Sequence, residues 1–195
     1  MEHMFTRLEW LVGKEKLENL GTKSVALFGC GGVGGFAMEA LVRTGIGRLV
    51  LIDGDKVTVS NLNRQLIATQ ETIGRRKVEV AKERALSIRP DMQVDTYDIV
   101  YTKEAYPDFI KDIKVDFVID AIDMVTAKLA IIENCQELGI PCISSMGTGN
   151  KMHPGLLRIS DISKTHTCPL AKVIRRELRK RGIKKQTVVF PLKSR

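Results

Sequence analysis

Six residues constrain this chain more than any others. Gly29-Cys30-Gly31-Gly32-Val33-Gly34 follows a short apolar run, Ser24 to Phe28, and opens a helical pattern over Gly32 to Thr44 that stops at Gly45. Strand, G-x-G-x-x-G and helix in that order predict the first turn of a doubly wound α/β sheet. The first glycine permits the tight turn, the second lets backbone approach a phosphate, and the third lets helix and strand pack closely. Phosphate oxygens then meet the free N–H groups and positive dipole of the helix start. Asp53 ends the next strand, Arg48 to Ile52, nineteen residues after Gly34. A carboxylate there accepts hydrogen bonds from both ribose hydroxyls. The motif leaves the nucleotide open, since NAD, FAD, S-adenosylmethionine and ATP all suit it, and a glycine-rich turn with no ligand is the plain alternative. No G-x-x-x-x-G-K-[ST] occurs, so this is not a P-loop.

The remaining pattern alternates helix and strand, which predicts a Rossmann-like α/β fold with a mostly parallel sheet, helices on both faces, and an extension by C-terminal strands. Thr6-Arg7-Leu8-Glu9 reads as a capping box opening a helix over Arg7 to Leu20. A polar loop from Asp53 to about Gln70 leads to a helix over Thr72 to Ile88, ended by Pro90. A strand at Gln93 to Val100, a short helix near Lys103 to Ile110 and a strand at Val115 to Asp120 follow. A helix over Thr126 to Leu138 stops at Gly139, and a strand spans Pro141 to Ser145. Beyond Gly149 the pattern changes to a strand at Leu156 to Ile159, a helix from Pro169 to about Arg181 and a strand at Thr187 to Phe190. The 195 residues read as one domain, with a nucleotide-binding part over 5–149 and a C-terminal part over 150–195 that carries the last helix.

That last helix is basic. Lys172, Arg175, Arg176, Arg179, Lys180, Arg181, Lys184 and Lys185 face a single acid, Glu177, in a chain of net charge +8. Such a surface attracts polyanions, nucleic acid foremost, although a solvated helix face has the same composition. Cys30, Cys135, Cys142 and Cys168 include no C-x-x-C pair, so no zinc or redox motif is legible. Cys135 and Cys142 fall in apolar patterns and read as core. Met1 to Trp10 lacks the apolar centre of a secretory signal, and no run approaches the ~20 apolar residues of a membrane helix, so a reducing, cytoplasmic setting is expected.

The second informative cluster is Ser60-Asn61-Leu62-Asn63-Arg64-Gln65 with Lys77. A dinucleotide's two phosphates need only helix-terminal N–H groups. A triphosphate carries more charge and calls for cations near its far end, which Arg64 and Lys77 supply. Asn61 adds an amide donor. Cations placed where pyrophosphate departs stabilise the transition state more than the ground state. Asp120-Ala121-Ile122-Asp123 closes a strand at the edge where open parallel sheets bind ligands. Asp123 is the expected Mg²⁺ ligand, because Mg²⁺ takes carboxylate together with phosphate oxygens; Asp120 either joins it or caps the following turn.

These motifs together resemble the ThiF/MoeB superfamily of carboxylate-adenylating enzymes: Gly29-x-Gly31-Gly32-x-Gly34, Asp53-Gly54-Asp55, Ser60-Asn61-Leu62-Asn63-Arg64-Gln65, Gly74 with Lys77, and Asp120-x-x-Asp123. Phe5-Thr6-Arg7, Thr165-x-x-Cys168-Pro169-Leu170-Ala171-Lys172 and Val188-Val189-Phe190 resemble its tRNA threonylcarbamoyladenosine dehydratase branch. The resemblance implies ATP and Mg²⁺. Asp53 would hold ribose, Asn61, Arg64 and Lys77 the triphosphate, with Asp55 and Gln65 beside them, and Asp123 the metal. Arg7 would reach the ATP of a second subunit in a homodimer. The implied reaction adenylates the threonylcarbamoyl carboxylate on a tRNA adenosine, and attack from within the same modification then closes a ring and releases AMP. The basic helix would grip the tRNA.

Three departures stand out. Met124 replaces the small polar residue usual after the Asp123 position; the zinc cysteines of sulfur-carrier relatives are missing; and the branch normally continues beyond Pro191-Leu192-Lys193-Ser194-Arg195, so the chain reads as a short or truncated form. Cys168 reads as a helix cap or, with a thiol activated by the dipole, as an acceptor of sulfur or acyl groups; His166 reads as a surface residue, a proton shuttle or a tRNA contact. The competing functions are adenylation of the C-terminus of a ubiquitin-like sulfur carrier protein, an NAD-dependent oxidoreductase, and a non-catalytic nucleotide-binding module.

Overall fold

The computed structural model describes residues 2–149, 151 and 153–192. The chain's last three positions, Lys193, Ser194 and Arg195, lie outside them, so the short C-terminal end noted above is not described. Seven strands form one sheet: β1 (Ser24–Phe28), β2 (Arg48–Ile52), β3 (Gln93–Tyr97), β4 (Phe117–Asp120), β5 (Cys142–Ser145), β6 (Leu157–Asp161) and β7 (Thr187–Pro191). Their order is β3-β2-β1-β4-β5-β7-β6. All neighbours are parallel except β6 and β7. The order reverses between β1 and β4, which opens a crevice at the carboxyl ends of these strands.

Seven helices accompany the sheet: α1 (Thr6–Val12), α2 (Lys14–Gly21), α3 (Gly34–Arg43), α4 (Lys77–Ile88), α5 (Phe109–Asp112), α6 (Val125–Leu138) and α7 (Pro169–Lys180). Period-two alternation in β1 sends Val25 and Leu27 toward α3 and α4, and Ala26 and Phe28 toward α5 and α6. Every one of these four is at most 4% exposed. Burying each Leu or Phe stabilises the fold by about 1.5–3 kcal/mol, so this central strand anchors both layers. A third cluster packs Leu129 and Ile132 of α6 and Ala171, Ile174 and Leu178 of α7 on Val188 and Phe190 of β7. The C-terminal part therefore belongs to the same sheet. On the opposite face of its outer strands, Ile159 of β6 stays 70% exposed.

The first helix departs from expectation. Gly13 has φ +88° and divides it into α1 and α2. The capping box is absent as well. Thr6 Oγ1 accepts from the backbone N–H of His3, and Glu9 pairs with the His3 ring. The helix expected from Thr72 begins five residues later, at Lys77. Tertiary contacts override its helical pattern: Thr72 Oγ1 accepts from the Thr69 N–H, Val57 N–H donates to Arg75 O, and Lys77 N–H donates to Asp55 O at 3.0 Å. The segment is thereby tied to the loop after β2, and Lys77 is delivered to the carboxyl edge. β3 ends at Tyr97 rather than Val100, and in place of the helix expected at Lys103 to Ile110 there is a single turn, α5, that overlaps it at Phe109 and Ile110 alone.

Candidate active site

The glycine turn sits at the crevice with its geometry fixed by backbone. Gly29 has φ +92°, and a Cβ there would lie 2.8 Å from Ala121 O. A Cβ on Gly34 would lie 1.7 Å from Gly29 O, so the third glycine serves packing, and it does not line the cleft. Gly31 and Gly32 do line it, and a Cβ on either would meet only Gln65 or Arg64 atoms at 3.5 Å or more. The cleft has a volume of about 540 Å³.

Asp53 ties β2 to the turn. Its Oδ2 accepts from Cys30 N–H at 2.7 Å and its Oδ1 from Asp55 N–H at 2.8 Å. Burial raises its pKa above the ordinary carboxylate value, against the opposing pull of the two N–H bonds and Lys77. Each carboxylate oxygen has two lone-pair directions, so acceptor capacity toward the cleft remains. The Cys30 thiol is buried under the turn, and burial pushes its pKa upward, away from nucleophilic character.

Lys77 is the first residue of α4 and only 6% exposed. Its Nζ lies 2.7 Å from Asp55 Oδ2, and both residues face the cleft. Arg64 also faces it, with Nη1 donating to Ser60 O at 2.8 Å and Asn63 Oδ1 at 3.0 Å. Gln65 lines the same wall, and its buried Oε1 has no partner among the described residues. Asp123 completes this set on the far side, beyond β4.

Other expected residues lie elsewhere. Asn61 is buried and is not among the residues lining the cleft; its Oδ1 accepts from Thr58 N–H at 3.1 Å and closes a one-turn 3₁₀ helix at Val59–Asn61, with its amide N–H donors outside that bond. Arg7 is exposed on α1 and absent from the lining of its own chain's cleft. Asp120 is fully buried and paired with Lys128 of α6 at 2.8 Å. It also accepts from Ile122 N–H, as a turn cap would, and does not line the cleft. Cys168 takes the plain reading: it is 4% exposed, and its Sγ accepts from Ala171 N–H at the start of α7. The His166 ring stands edge-on to Phe190 at the surface.

Three features escape sequence reasoning. A side lobe of about 120 Å³ shares Gly29, Asp53, Asp55, Ile122 and Asp123 with the cleft and is otherwise apolar, walled by Ile99, Val100, Tyr101 and Met124. Its shape and lining suit a flat heterocycle. Burial pushes the Tyr101 hydroxyl up to about 12, so it stays neutral and accepts from Asn134 at 2.5 Å. The second feature is a wall made by Ser145 to Gly149 with Leu170, which brings the start of α7 to the mouth of the cleft. The third is Lys128, whose one sequence signal is a charge set inside the apolar stretch Ala127 to Ile132.

The chain matches the model of the ThiF family over residues 6–189. It is 49% identical to a Bacillus subtilis tRNA threonylcarbamoyladenosine dehydratase over 97% of its own length and 74% of that protein. It is 37% identical to the Escherichia coli protein of the same name, over 87% of this chain and 63% of that one. Its structure superposes with a TM-score of 0.92 on the E. coli tRNA N6-threonylcarbamoyladenosine dehydratase, TcdA, crystallised with ATP, at 34% identity and over 98% of this chain and 82% of that chain. With its glycine turn, Asp53, Arg64 and Lys77 in one cleft, and with this match over residues 6–189, the chain belongs to the ThiF family.

Proposed function

We propose that this protein is an ATP-dependent tRNA threonylcarbamoyladenosine dehydratase, which adenylates the threonylcarbamoyl carboxylate of a tRNA adenosine and lets the adenylate close into a ring. The observation that carries the reading is the convergence of Arg64 and Lys77 on the cleft that holds Gly31, Gly32 and Asp53. The relatives bearing this name, and the ATP complex of the E. coli protein, supply the substrate class.

The residues accommodate ATP. The open backbone at Gly31 and Gly32 and the start of α3 receive phosphate, Asp53 receives ribose, and the apolar lobe receives adenine. A free carboxylate is a poor electrophile because its oxygen leaves badly. One of its oxygens attacks the α-phosphorus, pyrophosphate departs, and Arg64 and Lys77 neutralise the charge that builds on the leaving oxygen. The acyl group now carries AMP as leaving group. A nucleophile of the same modification attacks the carbonyl, loses its proton, and expels AMP. One ATP is spent and one water is removed from the modified base, with no cysteine nucleophile required. That accords with a buried Cys30 and a capping Cys168.

Mg²⁺ fits at Asp123. No group of three or more His, Cys, Asp or Glu that could hold a metal occurs among the described residues, so the ion would share Asp123 with phosphate oxygens, as Mg²⁺ does with nucleotides. There it would neutralise phosphate charge. A homodimer is supported by apolar surface on two elements: Ile159 on the open sheet face, and Trp10 on α1, 78% exposed and one turn from Arg7. Arg7, turned away from its own cleft, is then available to a partner's ATP. Free cysteines and a tRNA substrate support a cytoplasmic setting; no helix of the described residues is long and apolar enough to cross a membrane.

The test is pyrophosphate release. We expect it with ATP and threonylcarbamoylated tRNA, and none with unmodified tRNA. Release driven instead by a ubiquitin-like or sulfur-transfer carrier protein would overturn the tRNA assignment.

A further inference from the structure

Among the described residues, Lys128 and Asp120 form the one ion pair with both side chains fully buried. Lys128 Nζ donates to Asp120 Oδ2 at 2.8 Å, to Ser144 Oγ at 3.2 Å and to Ser145 O at 2.9 Å. An ammonium has three N–H groups, so all are engaged. Ser144 Oγ in turn donates to Asp120 Oδ2, and Ile122 N–H donates to Asp120 Oδ1 at 3.2 Å. The lysine thus reaches from the first turns of α6 and fastens the end of β4 to the end of β5. Both strand ends run directly into the cleft wall, one as Ala121, Ile122 and Asp123, the other as Ser145 and Met146.

Stability alone does not explain such a pair. Desolvating two charges costs several kcal/mol per ion, and an apolar pair of equal volume folds at least as well. An apolar pair lacks the directed bonds to the Ser145 carbonyl and the Asp120 turn. We infer that Lys128 is a positioning residue for the adenylation step: it holds the Asp123 turn and the Ser145 wall at fixed separation across the cleft from the glycine turn. Asp53 ties the glycine turn to β2, so the phosphate-binding side of the cleft, with Arg64 and Lys77, has a support of its own, while the apolar lobe shares Ile122, Asp123 and Met124 with the segment that Lys128 holds. This inference rests on the adenylating function proposed above.

The experiment compares full-length Lys128→Arg and Ser144→Ala with the wild type. Arginine keeps the charge and changes the reach and fork of the donors. Three quantities are measured: the Kd for inorganic tripolyphosphate without metal by calorimetry, the Kd for Mn²⁺ in the complex with a non-hydrolysable ATP analogue by electron paramagnetic resonance, and kcat for pyrophosphate release per folded molecule. For Lys128→Arg we expect a tripolyphosphate Kd within about threefold of wild type, with Mn²⁺ affinity and kcat each lowered about tenfold or more, the range seen when groups behind a metal ligand are altered. Ser144→Ala shifts the same two quantities in the same direction by less. A folded Lys128→Arg enzyme with wild-type Mn²⁺ affinity and kcat overturns the inference, and so does a parallel loss of tripolyphosphate affinity. If Lys128→Arg does not fold, Ser144→Ala decides on the same terms. A wild-type enzyme that releases no pyrophosphate with modified tRNA defeats the function instead, and the Mn²⁺ titration still judges the positioning role.

Discussion

Two lysines are buried at the carboxyl edge of this sheet, one on each side of β1, and they are held in opposite ways. Lys77, on the β2 side, faces the cleft and pairs with Asp55, whose side chain is 68% exposed. Lys128, on the β4 side, is sealed from solvent with Asp120 and Ser144 and also bonds the Ser145 carbonyl. Asp55 gives water a large share of its contact, so a phosphate can replace it on Lys77 at little cost. Nothing can replace Asp120 without exposing a buried charge. A cation offered to a ligand and a cation reserved for architecture differ here less in depth than in the exposure of the partner.

That contrast is open to attack, beginning with the most drastic substitution. Lys128→Met leaves Asp120 buried without its counter-charge and is expected to destabilise the fold by about 3–5 kcal/mol in urea unfolding; adding Asp120→Leu should restore most of it. A single variant as stable as wild type would abolish the distinction. Lys77→Met should do the reverse. Pyrophosphate release falls about 10²–10³-fold, the size of a lost charge-stabilising donor, while nucleotide-free stability changes by no more than about 1 kcal/mol, because Asp55 relaxes into water. Full activity in that variant would remove Lys77 from the chemistry.

Asp53 extends the comparison to an anion. Its pKa is raised in the folded protein, so its contribution to stability is complete below the ordinary value of 3.8 and is lost as pH rises through the raised one. Asp53→Asn does not titrate. The stability of wild type minus that of Asp53→Asn should therefore decline as pH increases from about 4; a difference independent of pH between 4 and 7 would contradict the direction of the shift. The smallest effect is on α7. Glu177 pairs with Arg176, Lys180 and Arg181, whereas Lys172 and Arg179 have no acidic partner among the described residues. Lys172→Ala and Arg179→Ala should each reduce the slope of log affinity for tRNA against log salt by about one, and Arg176→Ala by less. Equal slopes for all three would show that pairing with Glu177 does not withhold a cation.

What was legible in the sequence follows the same division. The glycine turn, Asp53, Arg64 and Lys77 could be read as one cluster because each is a chemical type at a spacing suited to phosphate or ribose, and the structure brings them to one cleft. The mostly parallel sheet is visible because helix and strand alternate. Lys128 is not visible as a partner of Asp120, because two residues eight positions apart come into contact only once α6 folds back on β4 and β5. Asn61 carries a second duty that its place beside Arg64 does not announce: its carboxamide oxygen closes a 3₁₀ turn, which leaves the amide N–H donors expected from the sequence unspent. The late start of α4 is likewise a tertiary outcome, set by bonds to the loop after β2 that helical periodicity does not encode.

The 1.7 Å approach between the Gly29 carbonyl and the place where any side chain at 34 would begin has an evolutionary consequence. Point substitution has no gradual route through that position, since even one methyl would occupy the oxygen's own volume. Drift in what this cleft accepts is therefore channelled into the neighbouring strand ends, where Met124, Ser145 and Thr148 can change one at a time without moving the turn.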